Sequence, residues 1–221
     1  MYIKVKRMED GKLLQEIKGM ISYFAEQQRI FSEEFYQYHD DAPNLSRYEI
    51  RHIFNEQSYD KAFIRLIENY LKELSFINIE YDFGSDKIEL SFRVKQLESV
   101  INKIVLKHQL DRVNQGAVSV QKCLNDLLGA RLVIETKLTY EALRQEVLSL
   151  PCIWRPYYRC DGEYEALHVY VKNNNKYFPW ELQIWRKCDQ VKNERSHAEH
   201  VAKRKYISWD DRYKELRERG S

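Results

Sequence analysis

Two short segments near the carboxyl end of the chain alternate polar and apolar residues, as neighbouring β-strands do. They cover residues 165–172 and 178–185. In a strand, residues two apart point to the same face. Tyr164 and His168 would therefore share one face of the first strand, and Glu181 and Gln183 would share one face of the second. A carboxylate and an amide beside an aromatic ring and an imidazole predict a nucleotide or metal pocket on that face.

The composition favours a folded domain. At 221 residues with 43% hydrophobic residues, the chain can bury a core of ordinary size, and the composition argues against disorder from low hydrophobicity. The net charge of +2 does not by itself indicate a nucleic-acid partner. Basic residues cluster near both ends of the sequence. Such clusters form either solvated surfaces or contacts with phosphate or RNA. The clusters are Lys4, Lys6 and Arg7, and Lys203, Arg204, Lys205, Arg212, Lys214, Arg217 and Arg219.

The cysteines and the apolar runs indicate a reduced, cytoplasmic protein. The four cysteines form no Cys-x-x-Cys pair and no compact zinc-binding spacing. No apolar stretch has the length of a signal peptide or a membrane span, so we expect no membrane partner. The cysteines are Cys123, Cys152, Cys160 and Cys188.

The first ninety residues have mainly helical periodicity. Apolar residues recur at threes and fours from Asp10 to about Tyr38 and again over 59–74, which predicts two amphipathic helices. The segment around Pro43 separates them, and Ser46 is a candidate N-cap for a short helix ending near Phe54. We expect an N-terminal helical region over 1–84.

After that region the period changes. Residues 77–83 and 88–94 alternate apolar and polar residues around Gly84, which predicts a β-hairpin. The rest of the chain predicts a mixed α/β (α+β) sheet flanked by helices, with the helical region as an N-terminal extension. The predicted elements are helix 97–108, strand 128–135, helix 139–149, the two strands described first, and a final helix over 187–206.

Four polar residues surround the predicted start of helix 97–108. Arg93 and Lys95 share a strand face, while Ser99 and Lys103 lie four residues apart on a helix face. A helix N-terminus offers free N–H groups, and Arg and Lys add charge-assisted hydrogen bonds, so this pattern suits a polyphosphate. The alternative is a solvated basic strand end followed by an ordinary amphipathic helix.

A second candidate group begins with Asp126. This carboxylate precedes an apolar strand on which Gly129 permits close approach and Arg131 adds a cation. The alternative is an Asp that caps a turn and an Arg that pairs with a surface carboxylate. Together with Glu181, Asp126 suits Mg²⁺, because nucleotide-bound magnesium takes one or two protein carboxylates and completes its shell with phosphate oxygens and water.

Four motifs, taken in order, resemble the synthetase domain of the RelA/SpoT family, in particular its small alarmone synthetases. They are Arg-x-Lys-x-x-x-Ser-x-x-x-Lys at 93–103, Asp-x-x-Gly-x-Arg at 126–131, Tyr-x-x-Leu-His at 164–168 and Glu-x-Gln-Ile at 181–184. The resemblance covers a synthetase core over 85–206 and leaves a basic tail at 207–221. It implies a nucleotidyltransferase-like mixed sheet and transfer of pyrophosphate from ATP to the ribose 3′-hydroxyl of GDP or GTP, yielding (p)ppGpp.

The resemblance also implies the donor site. Arg93 and Arg131 would hold the adenine of ATP between them, and Lys95, Ser99 and Lys103 would hold its phosphates.

The metal and acceptor sites are implied in the same way. Asp126 would bind Mg²⁺, and Glu181 would complete the metal site or act as a base toward the 3′-hydroxyl. The acceptor would be contacted by Tyr164, through base stacking, and by His168, Gln183 and, on a looser match, His197.

Three departures from the family pattern concern the acceptor. Glu163 and Glu165 flank the stacking tyrosine where a glycine and a basic residue are usual, and Trp185 follows Gln-Ile in place of an arginine. Strand alternation predicts that both glutamates turn away from Tyr164. The departures leave three alternatives: pyrophosphorylation of the tRNA 3′-CCA end by a toxic relative with an antitoxin partner, synthesis of adenosine alarmones, or a catalytically silent nucleotide-binding domain. A homo-oligomer also remains open.

Overall fold

A five-stranded mixed sheet forms the centre of the protein. The structure, a computed structural model, describes residues 2–53, 59–110 and 116–202, without the side chains of 2–9, 109, 110 and 200. The sheet order is β1-β2-β5-β4-β3; β2 and β5 run parallel, and the other neighbours run antiparallel. The strands are β1 (Ile88–Val94), β2 (Leu128–Ile134), β3 (Ile153–Asp161), β4 (Tyr164–Val171) and β5 (Trp180–Arg186). The predicted fold class, a mixed sheet flanked by helices, is confirmed.

Helices flank this sheet. Asp60 and Thr139 cap two of them by accepting hydrogen bonds from the backbone N–H groups of Phe63 (2.9 Å) and Ala142 (3.2 Å). No helix within the described ranges is both long and apolar enough to cross a membrane. The helices are α1 (Tyr2–Gln37), α2 (Ile50–Ile53), α3 (Lys61–Leu74), α4 (Leu97–Leu110), α5 (Val120–Cys123), α6 (Tyr140–Val147) and α7 (Gln190–Ala202), the last preceded by a 3₁₀ turn at Lys187–Asp189.

The N-terminal helices share one hydrophobic core with the sheet. Phe24 of α1 packs its ring 5.3 Å from that of Trp180 on β5, and the Trp180 indole donates a 2.9 Å hydrogen bond to the hydroxyl of Tyr70 on α3. Trp180 and Tyr70 are both fully buried. Such aromatic pairs contribute about 0.5–1.5 kcal/mol beyond the area that they bury. These contacts fix one face of the sheet against helices and leave the other face for a site.

The predicted hairpin over 77–83 and 88–94 is wrong. Residues 77–83 form no strand, and β1 pairs instead with β2. The alternating apolar side chains of 77–83 pack along α1, where the Tyr81 ring lies 5.4 Å from that of Tyr23. A Cβ on Gly19 of α1 would lie 2.5 Å from the Tyr81 hydroxyl. The absence of a side chain at Gly19 therefore lets residues 77–83 pack closely against α1. Period-two burial here reflects an extended segment lying on a helix.

Two further predictions near the helices need correction. Ser46 does not cap a helix: its hydroxyl donates to the side chain of Asn44 at 2.8 Å, and α2 begins only at Ile50. The predicted end of that helix, Phe54, lies outside the described residues, as do residues 203–206 of the predicted final helix. The first helix begins earlier than predicted because helical backbone continues through residues 2–9, which lack the apolar period.

Strand β3 was not predicted. Pro156 stands in its middle, and a proline cannot donate a hydrogen bond to a neighbouring strand, which argues against a central strand. The sheet accommodates it because β3 is an edge strand, paired only with β4. Gly162, with a φ of 62°, opens the two-residue turn to β4, a position that favours glycine.

Candidate active site

One open cavity of about 940 Å³ lies on the face of the sheet that α1 leaves uncovered. All of the predicted site residues except Ser99 line it. Strand register explains this gathering, because residues paired across a sheet point to the same face. Two parallel rows cross the sheet: Arg93, Gly129, Glu181, Tyr170 and Arg155 in one, and Ser91, Arg131, Gln183, His168 and Tyr157 in the other.

Asp126 lies between two lysines at one end of the cavity. Its Oδ1 accepts a hydrogen bond from Lys103 Nζ at 2.9 Å, and its Oδ2 accepts one from Lys95 Nζ. Burial is the largest single influence and raises the pKa of Asp126, but the two ammonium groups outweigh it and lower that pKa to about 2. The carboxylate is therefore ionised at neutral pH. Lys95 and Lys103, which were predicted to hold phosphates, contact this carboxylate.

Glu181 is the most enclosed carboxylate of the cavity, with only 7% of its surface exposed. Its Oε1 lies 2.8 Å from His168 Nδ1, and its Oε2 accepts a hydrogen bond from Gln183 Nε2 at 2.9 Å. Burial raises the pKa of Glu181, but the bonds from His168 and Gln183 and the charge on the imidazole outweigh it, so the pKa lies below its ordinary value. The predicted grouping of these side chains is thus observed.

Tyr164 joins this network through its hydroxyl. The hydroxyl lies 3.0 Å from His168 Nε2, and the Arg159 guanidinium lies 5.4 Å from the centre of the Tyr164 ring. Burial, the largest influence, raises the pKa of Tyr164 to about 12, so the phenol stays protonated and can donate to the imidazole. The neighbouring Tyr170 also has a raised pKa, because it is buried and faces Glu181.

Arg131 and Arg93 stand at the other side of the cavity. The Arg131 guanidinium lies 3.7 Å from the centre of the Trp185 ring, and burial lowers the pKa of Arg131. Arg93 donates from Nη1 to Nε2 of His197, 3.1 Å away on α7. His197, predicted to contact the acceptor, thus lies against a residue predicted to contact the donor base. The role of His197 stays a prediction.

Ser99 and Gly129 differ from what the sequence predicted about their surroundings. Ser99 lies in the first turn of α4 with 4% of its surface exposed and does not line the cavity. Its predicted contact with phosphate therefore has no support in the cavity geometry. A Cβ on Gly129 would lie 3.9 Å from Arg93 O, an ordinary contact, so the fold does not require glycine there. The missing side chain instead leaves cavity space above β2.

Asn193 positions α7 above the cavity. Its side-chain amide donates to Glu165 O at 2.7 Å and its side-chain carbonyl accepts from Glu165 N at 2.9 Å, as a neighbouring strand would. Tyr140 of α6 donates to the same Glu165 carbonyl at 2.9 Å. Asn193 is fully buried. His197, one helical turn later, is thereby fixed over the cavity.

The unpredicted strand β3 supplies side chains that sequence reasoning missed. Tyr157, Arg159 and Asp161 line the cavity, and Arg155 continues their row along the edge of the sheet. The Arg159 guanidinium donates to Asp161 Oδ2 at 2.8 Å. The alternation of Arg155, Tyr157 and Arg159 is a pattern that could have predicted this strand, whereas Pro156 between them argues against one.

The two unusual glutamates lie outside the cavity: Glu165 turns away from it, as strand alternation predicted, and Glu163 lies in the turn before β4. Glu165 accepts a 3.0 Å hydrogen bond from the Tyr158 hydroxyl on the other face of the sheet. Glu163 lies 3.9 Å from Arg195. Neither glutamate lines the cavity. They therefore place no negative charge against an acceptor bound beside Tyr164.

The donor set of Asp126 and Glu181 fits a nucleotide-bound magnesium ion. Gly129 of β2 pairs with Glu181, which brings the chain just before β2 close to Glu181, and the Asp126 charge acts to raise the pKa of Glu181. Within the described residues no cluster of three or more acidic, histidine or cysteine side chains could hold a metal alone. Two hard carboxylates with both pKa values lowered suit Mg²⁺, whose remaining ligands come from phosphate and water.

Comparison with known proteins finds similarity only among solved structures. No protein-family model matches the chain, and no curated protein matches it. The chain is similar to small alarmone synthetases. Small alarmone synthetase 1 from Bacillus subtilis bound to pppGpp is 15% identical, with 72% of this chain and 95% of that chain covered and a TM-score of 0.41. The same enzyme bound to AMPCPP is 16% identical, with 72% and 94% covered and a TM-score of 0.37. A GTP pyrophosphokinase family protein from Streptococcus pneumoniae is 15% identical, with 72% and 82% covered and a TM-score of 0.40.

Proposed function

We propose that the protein transfers pyrophosphate from ATP to the ribose 3′-hydroxyl of GDP or GTP, producing AMP and (p)ppGpp. One observation carries the proposal. The Lys95–Asp126–Lys103 cluster and the buried Glu181–His168 pair line a single cavity, together with the Arg131 guanidinium and the Tyr164 ring. Cations for phosphate, two carboxylates for a metal and two flat surfaces for bases are the parts that such a transfer needs.

In the proposed reaction the acceptor 3′-oxygen attacks the β-phosphorus of ATP. The new 3′-oxygen to β-phosphorus bond forms as the bridge between the α- and β-phosphates breaks, and AMP leaves with the bridging oxygen. The hydroxyl proton passes to solvent or to a nearby base. Lys95 and Lys103 neutralise charge on the transferring group, because ammonium groups in a partly enclosed site stabilise phosphoryl oxygens strongly.

Asp126 and Glu181 would hold Mg²⁺, which supplies charge neutralisation on the donor phosphates when bound. The lowered pKa of Glu181 favours a permanently anionic role over proton abstraction, because an efficient general base has a pKa near the operating pH. Glu181 would thus accept a hydrogen bond from the 3′-hydroxyl or bind the metal. His168 and Gln183 fix its two oxygens.

The two flat surfaces would hold the two bases. Arg131, supported from behind by Trp185, would stack on the donor adenine, with Arg93 on the opposite side. Tyr164 would stack on the acceptor base, a contact worth about 1–3 kcal/mol per base. Binding both nucleotides in this geometry would convert a bimolecular transfer into an effectively intramolecular one.

A second candidate acceptor is the 3′ end of tRNA. The row Arg155, Tyr157 and Arg159 extends along the edge strand, beyond the space that one nucleotide needs next to Tyr164. Alternating cations and aromatic rings are the features by which proteins hold single-stranded nucleic acid. This row favours a longer acceptor, whereas the Tyr164 subsite alone serves a mononucleotide.

One assay separates these acceptors. Purified full-length chain with Mg²⁺ and γ-³²P-labelled ATP is offered GDP, GTP, unlabelled ATP and deacylated tRNA in parallel. We expect label in the 3′-pyrophosphorylated product of GDP or GTP. Label in tRNA alone would support the second candidate, and label in a 3′-pyrophosphorylated adenosine nucleotide, separated from the labelled donor, would indicate an adenosine acceptor. Double replacement of Arg155 and Arg159 by Gln should weaken tRNA labelling and reduce its salt dependence. Absence of label in every acceptor contradicts pyrophosphate transfer.

A further inference from the structure

Trp185 lies beside the cavity, on the same face of the sheet as Glu181 and Gln183. It is fully buried and, with Val133 and Ala166, forms a small apolar cluster separate from the main core. It lies on β5 two residues beyond Gln183. It is not among the residues that line the cavity. A buried tryptophan at this point can therefore act on the site only through its neighbours.

The face of the Trp185 ring supports Arg131. The guanidinium carbon lies 3.7 Å from the ring centre, a distance that places the planar cation directly over the indole. Arg131 Nε is buried and has no hydrogen-bond partner among the described residues. The indole therefore contributes strongly to the orientation of the guanidinium, whose other side borders the cavity.

The same ring also packs against Tyr164. The two ring centres are 6.0 Å apart and the ring planes meet at 85°, an edge-to-face arrangement that aromatic pairs favour. Tyr164 packs against the cluster that contains Trp185. One buried side chain thus contacts both flat surfaces: Arg131 lies over its ring face, and Tyr164 packs against it in a perpendicular arrangement.

We propose that Trp185 is a positioning residue that holds Arg131 and Tyr164 in place for the donor base and the acceptor base together. The inference rests on the proposed function for the identity of the two ligands. Its physical basis is preorganisation: a guanidinium and a phenol already held flat lose less conformational freedom when a base stacks on them. An indole suits this role because it offers both a broad face and a long edge.

The test measures the binding of each nucleotide separately by calorimetric titration of the full-length chain. The donor probe is α,β-methylene ATP, whose scissile bridge is replaced by a methylene, and the acceptor probe is GDP. We expect Trp185→Leu to weaken both affinities about tenfold, the scale of a desolvated cation–π contact or of a lost aromatic support. Trp185→Phe keeps a ring face but shortens the edge, so GDP affinity should fall more than that of the ATP analogue.

Val133→Ala is the matched control, because it removes packing from the same cluster without removing a described contact to Arg131 or Tyr164. We expect it to change either affinity less than twofold. Equal losses in Val133→Ala and Trp185→Leu would attribute the effect to general loosening and overturn the inference. An unchanged affinity for either probe in folded Trp185→Leu would also overturn it. If Trp185→Leu does not fold, as judged by thermal unfolding, Trp185→Phe decides: equal affinities to the unaltered chain overturn the inference.

A double-mutant cycle tests the route through Arg131. In an Arg131→Lys background, Trp185→Leu should weaken binding of the ATP analogue by less than twofold. A full tenfold effect in that background would contradict the role of Trp185 toward Arg131. The proposed function has its own readout: unaltered chain that binds both probes but transfers no label refutes pyrophosphate transfer, while the affinities still decide the role of Trp185.

Discussion

His168 Nδ1 lies 2.8 Å from Oε1 of Glu181 in a buried part of the cavity. An ionised carboxylate can only accept hydrogen bonds, so the imidazole donates from Nδ1. The other ring nitrogen of His168, Nε2, lies 3.0 Å from the Tyr164 hydroxyl. One chain of polar contacts thus links Tyr164, the proposed stacking surface for the acceptor base, to Glu181, a proposed metal ligand.

Replacing Glu181 should abolish most activity without unfolding the protein. Glu181→Gln keeps the size of the side chain and an oxygen for His168 but removes the negative charge. We expect the transfer rate to fall roughly a hundredfold or more, since charge at the reacting centre is the main contribution that such sites make. Glu163→Gln, an exposed change outside the cavity, is the control. Equal rates in Glu181→Gln and the control would remove Glu181 from the mechanism.

Asp126 should make stability depend on pH. Its pKa of about 2 lies below the unfolded value near 3.9, so its stabilising effect is present above pH 4 and is lost as the pH falls through 2. The shift corresponds to about 2 kcal/mol at neutral pH. Chemical denaturation at pH 6.5 and pH 2.5 should show that Asp126→Asn lowers the free energy of unfolding clearly at pH 6.5 and by about a third of that amount at pH 2.5. A difference that is the same at both pH values would contradict this account.

Gly129 should be required by the ligand and not by the fold. The strand has room for a Cβ, and alanine costs less backbone entropy than glycine, so Gly129→Ala should leave thermal stability unchanged or slightly raised. The added methyl group would enter the cavity between Arg93 and Glu181, its neighbours across the sheet. We expect weaker ATP binding by titration, about tenfold for a displaced contact of roughly 1.4 kcal/mol. Lower stability with unaltered ATP binding would reverse this assignment.

Tyr164 should act mainly through its ring. Tyr164→Phe keeps the stacking surface and loses the hydrogen bond to His168, whereas Tyr164→Leu loses both. We expect KM for the acceptor to rise about tenfold or more in the leucine variant and much less in the phenylalanine variant, with KM for ATP nearly constant. Steady-state kinetics with each substrate varied separately measures this. Similar KM values in both variants would assign the role to the hydroxyl instead.

The sequence predicted which side chains share one cavity better than it predicted how the strands pair. The direction in which a side chain points from a strand or a helix depends only on local geometry. The sequence therefore predicted that the polar residues of β4 and β5 share one face, and that residues 93–103 place their polar side chains together. The partner of β1 could not be predicted, because strand pairing between distant segments is not encoded in periodicity. The extended segment 77–83 shows the same limit: burial against α1 produces the alternation of a strand without a strand partner.

Other features depended on tertiary context. Pro156 is compatible with β3 only because that strand lies at the sheet edge, a fact that follows from the strand order. The sequence around Asn193 does not predict its contacts. Its side chain bonds the backbone of Glu165 at a point where β4 has no partner on β5, and this point is known only from the strand pairing. The contact between Trp185 and Arg131 likewise requires β2 and β5 to be neighbours.

The most direct measurement follows ATP labelled at the β-phosphorus through one reaction with the preferred acceptor. Pyrophosphate transfer moves both the β- and γ-phosphates, so the account predicts that label appears in the acceptor and that one AMP is released for each acceptor modified. The Asp126→Asn variant should form both AMP and labelled acceptor much more slowly than the unaltered chain, because it lacks a carboxylate proposed to hold Mg²⁺. Release of ADP, with the β-label retained on adenosine, would show transfer or hydrolysis of the γ-phosphate alone and would contradict the proposed reaction.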